Sequence, residues 1–349
     1  MMFQAIIHKI FDRNKASRKS KDAEHGAALI TALLIVSVMS VTALSVIESL
    51  RFSMKLSGNM AQREQARLYA LGAEQLAIAT INAARKLSPQ GEEKRYPALD
   101  EWTRTPLLFP IDGGSIKGKV EDGSNCFNLN AVVRLGEGER VIVADGENIK
   151  RLARLFEYTG VSLGESVGLA NSIADWIDTN NTPEYGGAED PDYSIQQPPY
   201  RTSATLLADV SELKVIKGFT PEMVDKMAPW LCARPNMKLS PLNINTLTLE
   251  DLPLFLTYLG PSFSDTTVNA ILGERPVTGF QNVDDMWALS VFENDKIEDE
   301  DKHLFGLKSE YFDVIAQISY YQTVISLHST LQITNSGDIT NISRRYGNF

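Results

Sequence analysis

A segment from residue 175 to residue 193 carries many carboxylate and amide oxygens on a backbone bent by glycine and proline. Its candidate cation ligands are Asp178, Asn180, Glu184, Glu189, Asp190 and Asp192. Calcium requires hard oxygen ligands on a flexible backbone, and its protein sites usually supply about six to eight of them. The segment therefore predicts either a structural calcium site or a solvated acidic loop that binds no ion.

The spacing within this segment is only partly that of an EF-hand. Counted from Asp178, the third, fifth and twelfth positions hold Asn180, Thr182 and Glu189. Pro183 stands where the EF-hand loop needs glycine, and proline cannot make that turn. The glycine pair at 186–187 allows a sharp turn that would return the later carboxylates to Asp178. We therefore expect a loop geometry different from an EF-hand.

The remaining residues give little material for catalysis or for phosphate binding. The sequence contains no His-Glu-x-x-His, Gly-x-Ser-x-Gly, Gly-x-x-x-x-Gly-Lys-Ser/Thr or Gly-x-Gly-x-x-Gly motif. Its four histidines include His303 and His328, which lie on apolar segments typical of packing residues. The 349 residues carry a formal net charge of −10, whereas a nucleic-acid binder carries a basic patch. We expect neither an enzyme nor a nucleic-acid partner.

The elements that position these residues begin with an apolar run. No charged residue occurs between Gly26 and Ile47, and as a helix the run from Ala27 reaches about 30 Å, the thickness of a bilayer core. Six basic and three acidic residues precede it. Because positive charge before the first span stays in the cytoplasm, the sequence predicts one membrane span with the rest of the chain outside.

The two cysteines, Cys126 and Cys232, both follow this span. In the predicted topology they lie in an oxidising compartment, where an exposed free thiol is a liability. The sequence leaves two alternatives open, an intrachain disulfide between them or two separately buried thiols.

The leader before the apolar run differs from an ordinary secretory signal. It is polar and basic and ends in His25-Gly26, while the apolar run continues into Glu48 without a helix breaker or an Ala-x-Ala site. This arrangement resembles the type IV prepilins and pseudopilins. The resemblance implies that a prepilin peptidase cuts after Gly26 and methylates the new N-terminus, Ala27.

Three further features resemble one subtype, the K-type minor pseudopilins of type II secretion systems. Thr31 stands at the fifth position after the junction, where most pseudopilins have a glutamate that the K type lacks. A carboxylate in lipid is costly unless a neighbour's amine pairs with it, so its loss suits the end of a fibre. The segment Leu68–Glu74 and the Asp-Trp-Ile-Asp and Gly-Ala-Glu-Asp-Pro-Asp-Tyr strings within 175–193 also resemble this type.

The pattern beyond the span predicts an α+β fold. The first helix continues to Lys86, residues 88–114 have the Pro, Gly and charge content of a loop, and Ser115–Asp122 alternates as a strand. Short capped helices follow, and strands return from Tyr311 onward. The resemblance implies a pilin-like long N-terminal helix packed on a small antiparallel sheet, with a large all-helical domain inserted between strands. The expected domains are the leader at 1–26, the transmembrane helix at 27–47, the rest of the helix with a loop and first strands at 48–146, the inserted domain at 147–305, and the C-terminal strands at 306–349.

The same resemblance implies a function and a set of partners. The protein is expected in the inner membrane as a single-pass protein whose C-terminal bulk lies in the periplasm. The expected partners are the I- and J-type minor pseudopilins, the major pseudopilin and the prepilin peptidase. With them it would nucleate the pseudopilus, occupy its tip and support export of folded proteins. The family also binds calcium in its helical domain, which favours calcium over an ion-free loop at 175–193.

One alternative function stays open from the residues alone. The segments Asn243–Leu252 and Arg275–Phe280 resemble helix-hairpin-helix modules, which would suit a membrane-anchored periplasmic DNA-uptake protein. Those modules present a Gly-x-Gly hairpin and nearby basic residues to phosphate. Here the hairpin is missing and the neighbouring residues are acidic, so packing or protein recognition is the favoured interpretation.

Overall fold

The computed structural model describes residues 2–87, 107–138, 141–293, 297–334 and 336–347, with side chains from residue 27 onward. Two compact units, Met1–Gln65 and Ala66–Phe349, divide the chain. The expected loop at 88–106 and Asn335 of the expected turn at 335–338 lie outside the described residues.

Helix α1 extends from Met2 to Leu87. Within it, Ala27–Lys86 is the one helical stretch among the described residues that is long and apolar enough to cross a membrane. The few polar side chains of its apolar part bond back to the helix: Ser37 and Ser40 donate to the carbonyls of Leu33 and Val36 at 2.7 and 2.8 Å. Each hydroxyl is thereby satisfied without water, as lipid requires.

The second unit contains a five-stranded antiparallel sheet. In their order across the sheet, its strands are β1 (Leu107–Ile111), β2 (Gly114–Asp122), β9 (Tyr311–Tyr320), β10 (Thr323–Ile333) and β11 (Ile339–Tyr346). Because β2 and β9 are neighbours, everything between Asp122 and Tyr311 is an insertion at the sheet. The predicted α+β fold with an insertion between strands is confirmed.

The last part of α1 packs on one face of this sheet. Its buried residues recur at helical spacing, as Ala66, Ala70, Ala77, Ile81 and Ala84. They meet alternate residues of β9, namely Phe312, Val314, Ala316 and Ile318. The two periodicities, 3.6 on the helix and 2 on the strand, therefore produce one apolar layer.

Strand β1 corrects one prediction. Residues 88–114 were expected to form a loop, yet Leu107–Ile111 pairs with β2. Pro110 is tolerated because β1 lies at the edge of the sheet, where one side of the strand donates to no neighbour. The turn into β2 needs Gly114, since a Cβ there would lie 1.8 Å from the carbonyl oxygen of Ser319.

The inserted region has its own large core. Its helices are α2 (Gly146–Tyr158), α3 (Leu163–Ile177), α4 (Asp190–Ser194), α5 (Pro221–Met227), α6 (Leu252–Leu259), α7 (Asp265–Glu274) and α8 (Val283–Trp287). Its short strands are β3 (Phe127–Asn128), β4 (Val133–Leu135), β5 (Ile142–Ala144), β6 (Leu231–Cys232), β7 (Leu242–Asn243) and β8 (Phe305–Gly306).

This core begins before residue 147, the expected boundary. Phe127, Leu129, Val132 and Val133 are buried with the helices in one apolar cluster that continues to Leu307. The short strands β3, β4 and β5 pair within the insertion and not with the main sheet. The expected first strands up to residue 146 therefore belong to two different cores, and packing rather than local sequence decides which core each joins.

Candidate metal centre

Two helix ends create a compact group of three carboxylates. Asp175 lies in the last turn of α3, Asp178 is the residue at its C-cap, and Glu189 is the N-cap of α4. One oxygen from each of the three lies within 4.8 Å of the others. Their exposures are only 0, 2 and 2%, so water screens their mutual repulsion weakly.

The backbone of the loop fixes two of these carboxylates. Asp175 accepts hydrogen bonds from the N–H groups of Glu184 at 3.1 Å and Ala188 at 2.8 Å. A Cβ at residue 187 would lie 1.9 Å from Asp175 Oδ2, so Gly187 is needed for this close approach. Asp178 accepts from the backbone and side-chain nitrogens of Asn180 at 3.1 and 2.6 Å.

Glu189 is different, because neither of its buried side-chain oxygens forms a hydrogen bond of normal geometry with a described residue. An unsatisfied buried carboxylate is costly, and buried charges are normally paired or coordinate a metal. One oxygen of Glu189 lies within 4.8 Å of an oxygen of each aspartate of the cluster. The cluster therefore has the carboxylate ligands of a cation site, and one of these carboxylates lacks hydrogen bonds of normal geometry that would otherwise stabilise its charge.

The raised pKa values of the three carboxylates also favour a cation site. Burial raises the pKa of Asp175 and of Asp178 to about 6, although backbone N–H groups partly offset it. Burial and then the charges of Asp178 and Asp175 raise the pKa of Glu189 to about 7. Without a cation, protons would take its place, since three close carboxylates cannot all stay ionised cheaply.

The other predicted ligands have local partners. Asp190 accepts from the backbone N–H and the hydroxyl of Thr202 at 2.9 and 3.0 Å. Asp192 pairs with Lys217 at 2.8 Å and also accepts from the N–H of Glu189 at 3.2 Å. These contacts lower the pKa of both aspartates. Neither aspartate belongs to the group of three.

Asn180 and Glu184 border the cluster without belonging to the group of three. The side-chain oxygen of Asn180 accepts from the N–H of Thr182 at 2.7 Å. Glu184 contributes its backbone N–H, and its side chain is exposed. The structure thus brings Asp178 and Glu189 together and adds Asp175, which sequence reasoning did not select. The available signal was the spacing of 175 and 178, which places both on one face at a helix end.

The cluster fits calcium in its chemistry. Three carboxylates that each bind through one or both oxygens supply roughly three to six hard ligands. Backbone carbonyls or water normally complete such a site. His and Cys are absent from the group, which disfavours zinc.

A covalent link lies elsewhere in the inserted region. The Sγ atoms of Cys126 and Cys232 are bonded at 1.99 Å and join positions 106 residues apart. Cys232 pairs with Asn128 where β3 and β6 run parallel. Asn130 extends this junction by donating to the carbonyls of Leu207 and Arg234 at 2.9 and 2.8 Å.

Comparison with known proteins places the chain in a family. Models of the type II secretion system protein K family match residues 125–236 and 242–308, and a PilX N-terminal model matches residues 25–74. The type II secretion system protein K of Pseudomonas aeruginosa is 32% identical over 329 residues, which cover 93% of each chain. The chain belongs to this protein K family.

Other family members agree with that assignment. The protein K of Pectobacterium carotovorum is 27% identical over 94% of this chain and 98% of its own length. A chain in the crystal structure of the GspK-GspI-GspJ complex of enterotoxigenic Escherichia coli matches with a TM-score of 0.70 at 22% identity. That match covers 84% of this chain and 99% of the other and shows the shared fold. The K-type identification from sequence is therefore confirmed, whereas the metal ligands stay predictions.

Proposed function

We propose that the chain is a minor pseudopilin that assembles with I- and J-type pseudopilins at the tip of a type II secretion pseudopilus. Membership of the protein K family supports this role. The solved relative of the same fold was crystallised as a GspK-GspI-GspJ complex. The observation that carries the proposal is the joining of a membrane-length apolar helix to a pilin-like sheet with a large insertion.

The insertion and Thr31 both suit a terminal position. The core of the insertion extends from Phe127 to Leu307, a bulk that would block a further subunit from stacking above it. Thr31 Oγ1 donates to the carbonyl of Ala28 at 2.9 Å, so this position needs no neighbouring amine. From the tip, the subunit would prime extraction of the major pseudopilin from the inner membrane and support export of folded proteins by the growing fibre.

Calcium would be a structural ion in this function. Asp175, Asp178 and Glu189 would hold it and so connect the end of α3 to the start of α4. The ion supplies positive charge that the cluster otherwise lacks, and no reaction is assigned to it. The site would stabilise the insertion that distinguishes this subunit.

Co-purification tests the partner assignment. The full chain, expressed with I- and J-type pseudopilins and extracted in mild detergent, is expected to elute with both as one complex. The major pseudopilin alone serves as the comparison and is expected to bind more weakly, because a tip complex forms before the fibre. Elution of the chain without either minor partner would contradict the proposed function.

Processing of the leader gives a second test. N-terminal sequencing of the protein extracted from membranes is expected to begin at Ala27 with a methylated amine. A Gly26→Val variant should keep its leader, because the expected cut follows Gly26. A wild-type protein that retains its leader in cells with normal secretion would contradict the assignment to the prepilin class.

The DNA-uptake alternative receives no support from the charge around its candidate segment. Glu121, Asp122, Glu250 and Asp251 line a cleft of about 580 Å³ beside the Asn-Ile-Asn-Thr string at 243–246. Arg275 lines the same cleft, but the four carboxylates outnumber it and would repel phosphates rather than attract them. Salt-dependent binding of DNA to the full chain would revive this alternative.

A further inference from the structure

A group of charged side chains lies where the inserted region meets the main sheet. Strands β9, β10 and β11 contribute Asp313, His328 and Arg345 to the lining of a cleft of about 270 Å³. The insertion contributes Asp209 and Arg234 to the same cleft. We call these five residues the junction cluster.

His328 stands between two strand neighbours of opposite charge. Its Nε2 lies 3.4 Å from Asp313 Oδ1, and its Nδ1 lies 3.0 Å from Arg345 Nη2. A guanidinium can only donate, so Nδ1 must act as the acceptor. This arrangement therefore selects the neutral tautomer of His328, with its proton on Nε2 facing Asp313.

Arg345 connects this histidine to the insertion. Besides donating to His328, it forms an ion pair with Asp209. Asp209 caps the 3-10 helix Val210–Val215 and accepts from the N–H of Ser211 at 2.9 Å. One guanidinium thus joins β11 to a helix start in the inserted region.

Other charged side chains of the described residues also lie near the histidine. Arg234, which is 4% exposed and stacks 4.4 Å from the ring of Tyr311, lies 3.8 Å from Asp313. Thr330 donates to Asp313 at 2.6 Å, and Glu121, opposite Asp313 on β2, pairs with Lys119. Burial opposes ionisation of Asp313, but its contacts with His328, Arg234 and Thr330 outweigh it and lower its pKa.

A proton added to His328 would change one contact of the junction cluster. The cluster already holds two guanidiniums and two carboxylates, and a third cation would be added. The new Nδ1–H would point at an Arg345 donor 3.0 Å away, so this contact would join two donors. Attraction to Asp313 on the other side of the ring does not relieve this donor–donor contact.

We propose that the junction cluster is a pH-sensitive latch, in which protonation of His328 displaces Arg345 and loosens the connection between β11 and Asp209. The direction follows from linkage: a proton that favours the open junction makes opening more frequent as pH falls. The latch would change the stability of the contact between the inserted region and the sheet.

Hydrogen exchange of the full chain in detergent tests this latch. Protection factors, which correct for intrinsic exchange, are expected to fall about three- to tenfold at residues 209–215 and 342–346 when pH is lowered from about 7.5 to about 5. His328→Gln should abolish that fall, because the amide can accept from Arg345 and donate to Asp313 without titrating. His303→Gln, an exposed histidine on another segment, should keep it.

Two outcomes would overturn the latch. One is an equal fall in protection in the wild type and in His328→Gln, since the carboxylates at 175–189 titrate identically in both proteins. The other is higher protection at the lower pH.

The variant Asp209→Asn provides a second test of the latch, because it keeps the cap of Val210–Val215 but removes the ion pair with Arg345. It should lower protection at about pH 7.5 and reduce the pH dependence, and unchanged protection would likewise contradict the latch.

Discussion

Replacing Glu189 with glutamine is expected to change the stability of the inserted region in opposite directions with and without calcium. If the proposed site binds calcium, an excess of about 100-fold over its Kd would stabilise the native wild type by about 2.7 kcal/mol. Loss of this calcium stabilisation in Glu189→Gln would lower the Tm of the inserted region by roughly 5–10 °C. In chelator the variant should instead melt higher than the wild type, because it removes one of three close negative charges.

The stability of the metal-free protein should also depend on pH. The three carboxylates have pKa values of about 6, 6 and 7 in the folded chain, against ordinary values of 3.8 for Asp and 4.5 for Glu. Between these values the folded state binds more protons than the unfolded state, so its stability must fall as pH rises. In chelator, Tm should therefore decrease from about pH 5 to about pH 7.5, whereas the increment given by calcium should grow.

Asp190→Asn is the matched control for Glu189→Gln. Asp190 is the next residue and also a carboxylate, yet it bonds to Thr202 outside the group of three. Its variant should retain the calcium increment in Tm. A wild type with no response to calcium or chelator would remove the ion from the proposal, while the family assignment would be unaffected.

The candidate metal centre shows which part of such a cluster local spacing can predict. The density of side-chain oxygens between 175 and 193 indicated the loop in which two of the three carboxylates lie. Which carboxylates converge depends on residues further along the chain, because Thr202 and Lys217 hold Asp190 and Asp192. In the sequence, nothing distinguishes Asp175 from other polar residues of a helix. It joins the cluster because the loop after the helix folds back and the N–H groups of Glu184 and Ala188 donate to its carboxylate.

The fold was predictable to a similar extent and for similar reasons. Strands β2, β9 and β10 show their alternation in the sequence because one face of each is buried against α1. Strand β1 did not, since an edge strand tolerates the Pro110 that usually argues against a strand. The boundary of the insertion depends on which core takes Phe127, a long-range contact that composition does not encode.

The largest loss of stability in the α1–sheet layer is expected from Arg344→Ala, and it should exceed that of Glu74→Gln. Glu74 is a carboxylate on α1 with 1% exposure that receives Arg344, Ser329 and Asn341 from β10 and β11. Removing the guanidinium leaves a buried charge without its partner, which costs about 3–5 kcal/mol. Removing the carboxylate leaves Arg344, whose side chain is 37% exposed and can turn to water, so about 1–2 kcal/mol is expected.

The pH response distinguishes this mechanism from a simple loss of packing. Although burial opposes ionisation, the contacts with Arg344, Ser329 and Asn341 lower the pKa of Glu74. In the wild type this group stabilises the fold above its ordinary value of 4.5 and loses that effect as pH falls through the lowered value. In Arg344→Ala burial dominates, so protonation of Glu74 should relieve part of the damage on acidification.

Urea unfolding of the detergent-solubilised chain, followed by circular dichroism, measures both quantities. Glu121→Gln is the control, because the Lys119–Glu121 pair is at least one-third exposed on both sides and its loss should cost under about 1 kcal/mol. Equal costs for Arg344→Ala and Glu74→Gln would contradict the argument, since only an uncompensated buried carboxylate makes them differ. A penalty for Arg344→Ala that does not shrink on acidification would assign the loss to packing of the arginine stem instead.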